Sequence, residues 1–348
     1  MYGRIPRPVC RRGIPLPLYR FRKPMIARVV KAGVLTTVQD LGRASYRSQG
    51  VVVGGAMDGF AHRISNSLVG NSAEWATLEV TFGGLELYFE AESWIAITGH
   101  GVAVRIDDTE ADCWRPLRIG AGSRLQLVYT GQGCRSYVAI RGGWQVPEVL
   151  GSYSTYLPAG WGGYEGRALR ADDVLTYGPN LPPLHPSLNW SLAPAALPAY
   201  QTHPTVRVIR GPEWKFFTPE SQRAFSSQSH EVLPQSNRMG YRLEARMQKL
   251  RTTELISTAV TAGTIQVLPD GNLVVLMNDA PTTGGYPRIA QVIEPDLSVM
   301  SQLVPGNQVQ FSLLSPEQAE DKYIQYQEFT RKLEETLTQR LDPTTDVY

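Results

Sequence analysis

The chain has 348 residues, 34 Lys+Arg against 32 Asp+Glu, a formal charge of +2, and 42% hydrophobic but only 19% charged residues. That composition excludes wholesale disorder, and the near-zero charge offers no basic footprint for nucleic acid. Glycine and proline are abundant, 32 and 25 residues, which with short apolar runs favours a β-rich, turn-rich fold over a helix bundle.

Residues 1–24 stand apart, with seven basic residues, five prolines and no acid. Pro15 and Pro17 interrupt the only apolar run, so a secretory signal is not expected there. The expectation is a basic, Pro-rich leader, disordered or lying ahead of a true start at Met25. From Met25 onward 27 basic residues face 32 acidic ones, a net charge of −5. Residues 25–178 read as short strands between Gly and Asp turns: Ile26–Val30, Leu78–Phe82, Leu85–Phe89, Trp94–Thr98, Val102–Ile106, Leu125–Tyr129 and Tyr137–Ile140. One helix interrupts them, capped by Asp58, with Ala61, Ile64 and Leu68 on one face and Gly70 to end it. Residues 179–205 form a Pro-rich linker between lobes. A second β-rich lobe, residues 206–314, holds strands Val206–Arg210, Thr264–Val267, Leu273–Met277, Ile289–Val292 and Val309–Leu314, and a short helix at Pro219–Phe225. Residues 315–348 turn to Glu, Gln, Lys and Leu, a pattern that predicts an exposed helix to about Leu341, then a tail.

No apolar stretch approaches the ~20 residues of a membrane-spanning helix. Cys10, Cys113 and Cys134 form no C-x-x-C pair. Reduced thiols and a cytoplasmic location are the expectation. Phosphate-loop, nucleophile-elbow and zincin signatures are missing, and the five histidines lack metal-ligand spacing. The run Gly160-Trp161-Gly162-Gly163-Tyr164-Glu165-Gly166 does not fit a dinucleotide fingerprint.

Four segments combine turn glycines with polar groups: Thr36–Arg43 with Gly54–Asp58, Arg141–Gly143 with Gly151–Tyr156, Ser236–Glu244, and Asp279–Pro287 with Gln266. The first two read mainly as turns. In the third, Arg238 and Arg242 lie four apart and could fork onto a carboxylate or phosphate. In the fourth, the hydroxyls of Thr282 and Thr283 sit beside the unhindered N–H groups of Gly284 and Gly285, the makings of an anion nest.

These segments, in this order, resemble the carboxyltransferase-like family that contains the C component of bacterial ATP-dependent 5-oxoprolinase. The same family includes the antagonist of the sporulation kinase inhibitor and half of the urea carboxylase carboxyltransferase domain. The carriers are Leu35–Arg43, Gly55–Asp58, Leu68–Asn71, Leu78-Glu79, Arg238–Leu243, Gly263–Val267 and Thr282–Pro287. The resemblance implies a mainly β protein with two cyclophilin-like β-barrel subdomains around a cleft. It implies partners, the kinase-inhibitor-like B component and the A component of 5-oxoprolinase, and ATP-driven conversion of 5-oxo-L-proline to L-glutamate. ATP, with Mg at the complex interface, would activate the lactam carbonyl oxygen by phosphorylation. Candidate catalytic residues are Arg238, Arg242 and Asp279. Candidates for binding substrate or nucleotide are Gln39, Asp40, Asp58, Tyr241, Gln266, Thr282, Thr283, Gly284, Gly285 and Tyr286, and no metal ligand is expected. Two alternatives stay open: a non-catalytic regulator of a kinase-inhibitor-like partner, or half of a carboxyltransferase that uses biotin. The sequence departs from the family pattern at Pro281, where Gln is usual, and at Thr258, where Glu is common.

Overall fold

The structure, a computed structural model, describes residues 25–178, 184, 188–250 and 255–341. The expected leader, part of the Pro-rich linker and the tail after Leu341 lie outside the described residues. All twelve strands read from the sequence form, with ends shifted by at most two positions.

Two sheets build the first lobe. The larger runs, edge to edge, Trp144–Gln145, Val174–Tyr177, Met25–Ala32, Leu85–Phe89, Arg124–Tyr129, Val102–Ile106 and Thr109–Ala111. The smaller runs Leu35–Gln39, Thr77–Thr81, Arg135–Ile140, Ser93–Gly99 and Pro116–Ile119. Both send apolar side chains into one core, around Val29, Leu78, Leu87, Ile97 and Val138. Period-two alternation leaves the other face of the smaller sheet to carry Thr37, Glu79 and Tyr137 in register. Helix α1 (Gly59–Leu68) covers that face. The Asp58 carboxylate accepts from the Ala61 N–H at 3.0 Å, and Ala61, Ile64 and Leu68 are fully buried, as the sequence predicts.

The second lobe is one seven-stranded sheet: Ser229–Glu231, Gln308–Leu314, Thr205–Arg210, Arg288–Val292, Thr264–Val267, Leu273–Leu276 and Gly240–Leu243. A bridge between Val232 and Leu243 ties its two edges and nearly closes it into a barrel. Its core includes Val208, Phe225, Ile265, Val275 and Phe311, and also Met57, which reaches over from the first lobe. Helix α2 (Pro219–Ser227) starts at the predicted proline, capped by Thr218. Helix α3 (Glu294–Ser301) is an addition to the elements the sequence predicts. Helix α4 (Pro316–Leu341) packs on both α1 and α3, with Arg63 bridging to Glu334 at 2.8 Å and Phe60 stacked on Phe329.

Candidate functional site

The candidate residues gather where the lobes meet. Arg238 precedes the strand Gly240–Leu243 and points into the seam, only 6% exposed. Its Nε and Nη2 donate to the two oxygens of Asp279, each at 2.9 Å. Nη1 donates to Glu79 of the first lobe, and Nη2 also reaches the Gly55 carbonyl at 2.7 Å. Glu79 further accepts from the Met57 N–H at 2.9 Å and the Tyr137 hydroxyl at 2.8 Å. Burial alone would push the Glu79 carboxyl up; Arg238, then Arg135, outweigh it and hold it below the usual carboxylate range.

Arg135 is the second buried cation of the seam. It lies 3.7 Å from Glu79 and donates to the Tyr241 hydroxyl and the Ser301 carbonyl of the second lobe. Gln302 closes the network. Its Oε1 accepts from the N–H groups of Cys134 and Arg135, and its Nε2 donates to the Arg135 carbonyl and to Asp58. Asp58 therefore holds α1 and the second lobe at once. Burial pushes its carboxyl up, against the Ala61 N–H, Gln302 and Tyr200 that donate to it.

This arrangement revises the expected arginine fork. The strand Gly240–Leu243 alternates, so Tyr241 faces inward and Arg242 faces solvent. Arg238 has spent its donors on two carboxylates and a carbonyl, so the pair does not converge on a ligand. The expected nest is also not formed. Thr283–Gly284 is extended and pairs with Thr258–Ala259, and neither Gly284 nor Gly285 takes the positive φ that a nest needs. The two family departures, Thr258 and Pro281, thus sit on or beside one short ribbon. Gln266 packs against Gly284 and donates to the Tyr286 carbonyl at 3.3 Å, while Tyr286 itself is exposed.

Gln39 and Asp40 lie deep in the first lobe. The Asp40 carboxylate accepts from the Gly42 and Tyr153 N–H groups and from the Ser152 and Ser154 hydroxyls. It fixes the turn that launches Arg43. Gln39 donates to the Thr155 carbonyl at 3.2 Å, and its Oε1 is buried without a partner. Arg43, which the sequence does not single out, is 1% exposed and held to the Ser154 carbonyl at 2.5 Å. Burial pulls its guanidinium below the ordinary value, although Asp40 and Asp279 counteract this.

A cavity of 260 Å³ opens between the lobes here, lined by Arg47 and Gly54 on one side and Thr261, Asn278, Pro281 and Thr282 on the other. A larger one of 580 Å³ lies beside α2 and His230, but none of the candidate residues lines it. Sequence reasoning misses Arg43, Glu79, Arg135 and Gln302 as site residues. Only Arg43 has a local signal, the Asp40–Gly42 turn before it; the others meet their partners through long-range contacts.

The family model described as the carboxyltransferase domain, subdomain A and B, matches residues 49–313. The chain belongs to this family. It is 43% identical over 295 residues to the C component of 5-oxoprolinase from Escherichia coli (strain K12), covering 84% of this chain and 92% of that one. Identity to the corresponding Haemophilus influenzae 5-oxoprolinase component is 34%, over 81% of this chain and 89% of that one. Identity to the urea amidolyase of Lachancea kluyveri is 33%, over 84% of this chain but 17% of that one. The solved K. lactis urea amidolyase superposes with a TM-score of 0.81 at 30% identity, covering 90% of this chain and 20% of that one. The mainly β fold expected from the sequence is the one observed; of the two expected cyclophilin-like barrels, the second lobe forms one nearly closed barrel sheet, whereas the first is built from two sheets.

Proposed function

We propose that this chain is the C component of an ATP-dependent 5-oxoprolinase, working in the cytoplasm with a kinase-inhibitor-like B component and an A component to convert 5-oxo-L-proline to L-glutamate. The observation that carries the reading is the near full-length match to the E. coli C component, 92% of that protein at 43% identity. The urea amidolyase matches cover a small part of much longer chains and support a shared family more than a shared reaction.

Nothing among the described residues of the seam fits a nucleoside triphosphate. Arg238 is already paired with Glu79 and Asp279, and the Thr282–Gly285 segment is extended. Nucleotide chemistry is therefore assigned to none of the described seam residues. Its residues supply instead a rigid interlobe wall: Glu79, Arg135, Arg238 and Asp279 are mutually neutralised and hydrogen-bonded, so they hold fixed dipoles around the cleft without reorganising. The test is reconstitution. Co-purified with its A and B partners, the chain should support ADP release that depends on 5-oxoproline. A well-formed complex with no such turnover would sink the reading.

A further inference from the structure

The seam network that starts at Asp279 ends at Gln302, and Gln302 is the buried floor of a third cavity, of 230 Å³. Three stretches of chain meet there. His100 and Gly133 come from the first lobe, Tyr200 and Gln201 from the linker, and Gln302 and Asn307 from the second lobe. No Asp, Glu, Lys or Arg lines this cavity. The two cavities described above differ in that respect: Arg47 lines one, and Glu231 and Glu244 line the other.

The walls are fixed. The His100 ring stacks on Tyr200, with centroids 5.3 Å apart and planes at 24°. Gly133 faces the same ring at φ +70, where a Cβ would stand 2.4 Å from His100 Cδ2. The Tyr200 hydroxyl is tied to Asp58 at 2.7 Å, and the Gln308 N–H holds the Thr202 carbonyl at 3.1 Å. Gln302 has used both hydrogens of Nε2 and both acceptor positions of Oε1 within the seam. It is a rigid floor, not a partner for a ligand.

The polar groups left over are all neutral. Neither ring nitrogen of His100 has a partner among the described residues, and neither is sealed from solvent. Burial pulls this imidazole below its ordinary value, so near pH 7 the ring offers one donor and one acceptor. Asn307 Oδ1 accepts from the Val304 N–H at 3.1 Å, which leaves its Nδ2 free to donate. The exposed carboxamides of Gln132 and Gln201 each add a donor and an acceptor at the rim.

An anion entering here would meet no free cation, and an ammonium no free carboxylate. Arg135 and Asp58, the charged residues that Gln302 touches, are buried and already partnered. An unpaired charge stripped of water is costly. An apolar molecule would strand the lining instead. A hydroxyl donates and accepts at one oxygen, so a ring of hydroxyls matches a mixed, neutral lining. At 230 Å³ the cavity is below the ~300 Å³ at which drug-sized pockets begin, which limits the ligand to one small ring. We propose that this cavity binds a small, uncharged, polyhydroxylated ring of monosaccharide size, held by His100, Gln132, Gln201 and Asn307 across the seam. 5-Oxoproline, glutamate and ATP are all anions, so the site lies outside the reaction proposed above and does not rest on it.

The chain has five histidines, and their ring signals in the full-length protein, followed by NMR, test the site. His100→Asn identifies the His100 signal by its loss. D-Glucose and myo-inositol are expected to shift that signal saturably, while the signals of His62 and His230, buried elsewhere, stay in place. D-Glucuronate and D-glucosamine keep the ring but add a carboxylate or an ammonium, and should bind about tenfold more weakly. Asn307→Asp keeps the oxygen that accepts from Val304 and removes the free donor, so it should weaken the neutral rings by about tenfold. Should that variant not fold, the comparison of neutral with charged rings on the unaltered chain decides. A His100 signal that ignores every neutral polyol, or drifts without saturating, would overturn the site. Equal affinity for charged and uncharged rings would overturn the assigned class. A response to N-methylacetamide with the sugars silent would do so too, because the crevice would then be a peptide site.

Discussion

Arg238 and Arg242 have the same side chain four positions apart, and the fold gives them opposite tasks. Arg238→Met removes the cation that neutralises Glu79 and Asp279 and leaves both carboxylates buried. Breaking a buried pair from one side typically costs about 3–5 kcal/mol. Arg242 is exposed on the outer face of its strand, and Arg242→Ala should change stability by no more than about 0.5 kcal/mol. Urea denaturation of the two variants separates them. Equal midpoints would mean the seam carries no stability. Any loss of activity in the Arg238 variant must accordingly be read only after its folded fraction is measured.

Helix α1 carries a pH dependence of its own. His62 is fully buried, with Nδ1 2.8 Å from the Thr77 hydroxyl and Nε2 3.0 Å from the Ala73 carbonyl. Burial pulls its imidazole down to about 4, against the pull of Asp40 and Glu79 in the other direction. The unfolded chain titrates near 6.5 and so binds more protons between the two values. Stability is full above about pH 6.5 and falls as the pH drops toward about 4, by on the order of 3 kcal/mol. His62→Gln should flatten that window in denaturation curves taken across it; an unchanged slope would show that another group titrates there. This helix is legible in the sequence because its cap, its apolar stripe and its end all agree. The strand Leu35–Gln39 is not, because Thr36, Thr37 and Gln39 are buried polar residues that erase the alternation. Helix α3 hides for the same reason: Asp296, Ser298 and Ser301 are among its buried side chains, although Glu294-Pro295-Asp296 is a helix-start signal. The candidate site is half visible. Turn glycines mark its loops, but nothing local announces that Glu79 meets a residue 159 positions away.

Across the whole molecule, the two largest apolar cores are separate clusters, yet polar contacts run between the lobes that hold them. Gln302 fastens Asp58 and Arg135, Asn278 reaches the Ala56 carbonyl at 2.9 Å, and Met57 is buried in the second core. Helix α4 straps α1 to α3 from outside. Unfolding either lobe breaks the Arg238–Glu79 bridge and the hydrogen bonds of Arg135 and Gln302 across the seam, and strips Met57 from the second core, so a half-folded state loses polar as well as apolar contacts. Calorimetry of the intact chain should therefore show one cooperative transition, with equal calorimetric and van't Hoff enthalpies. Arg238→Met weakens the shared network more than either core, and is expected to broaden that transition or divide it in two. Two resolved transitions in the unaltered chain would mean that the lobes fold independently and that the seam forms only after both are complete.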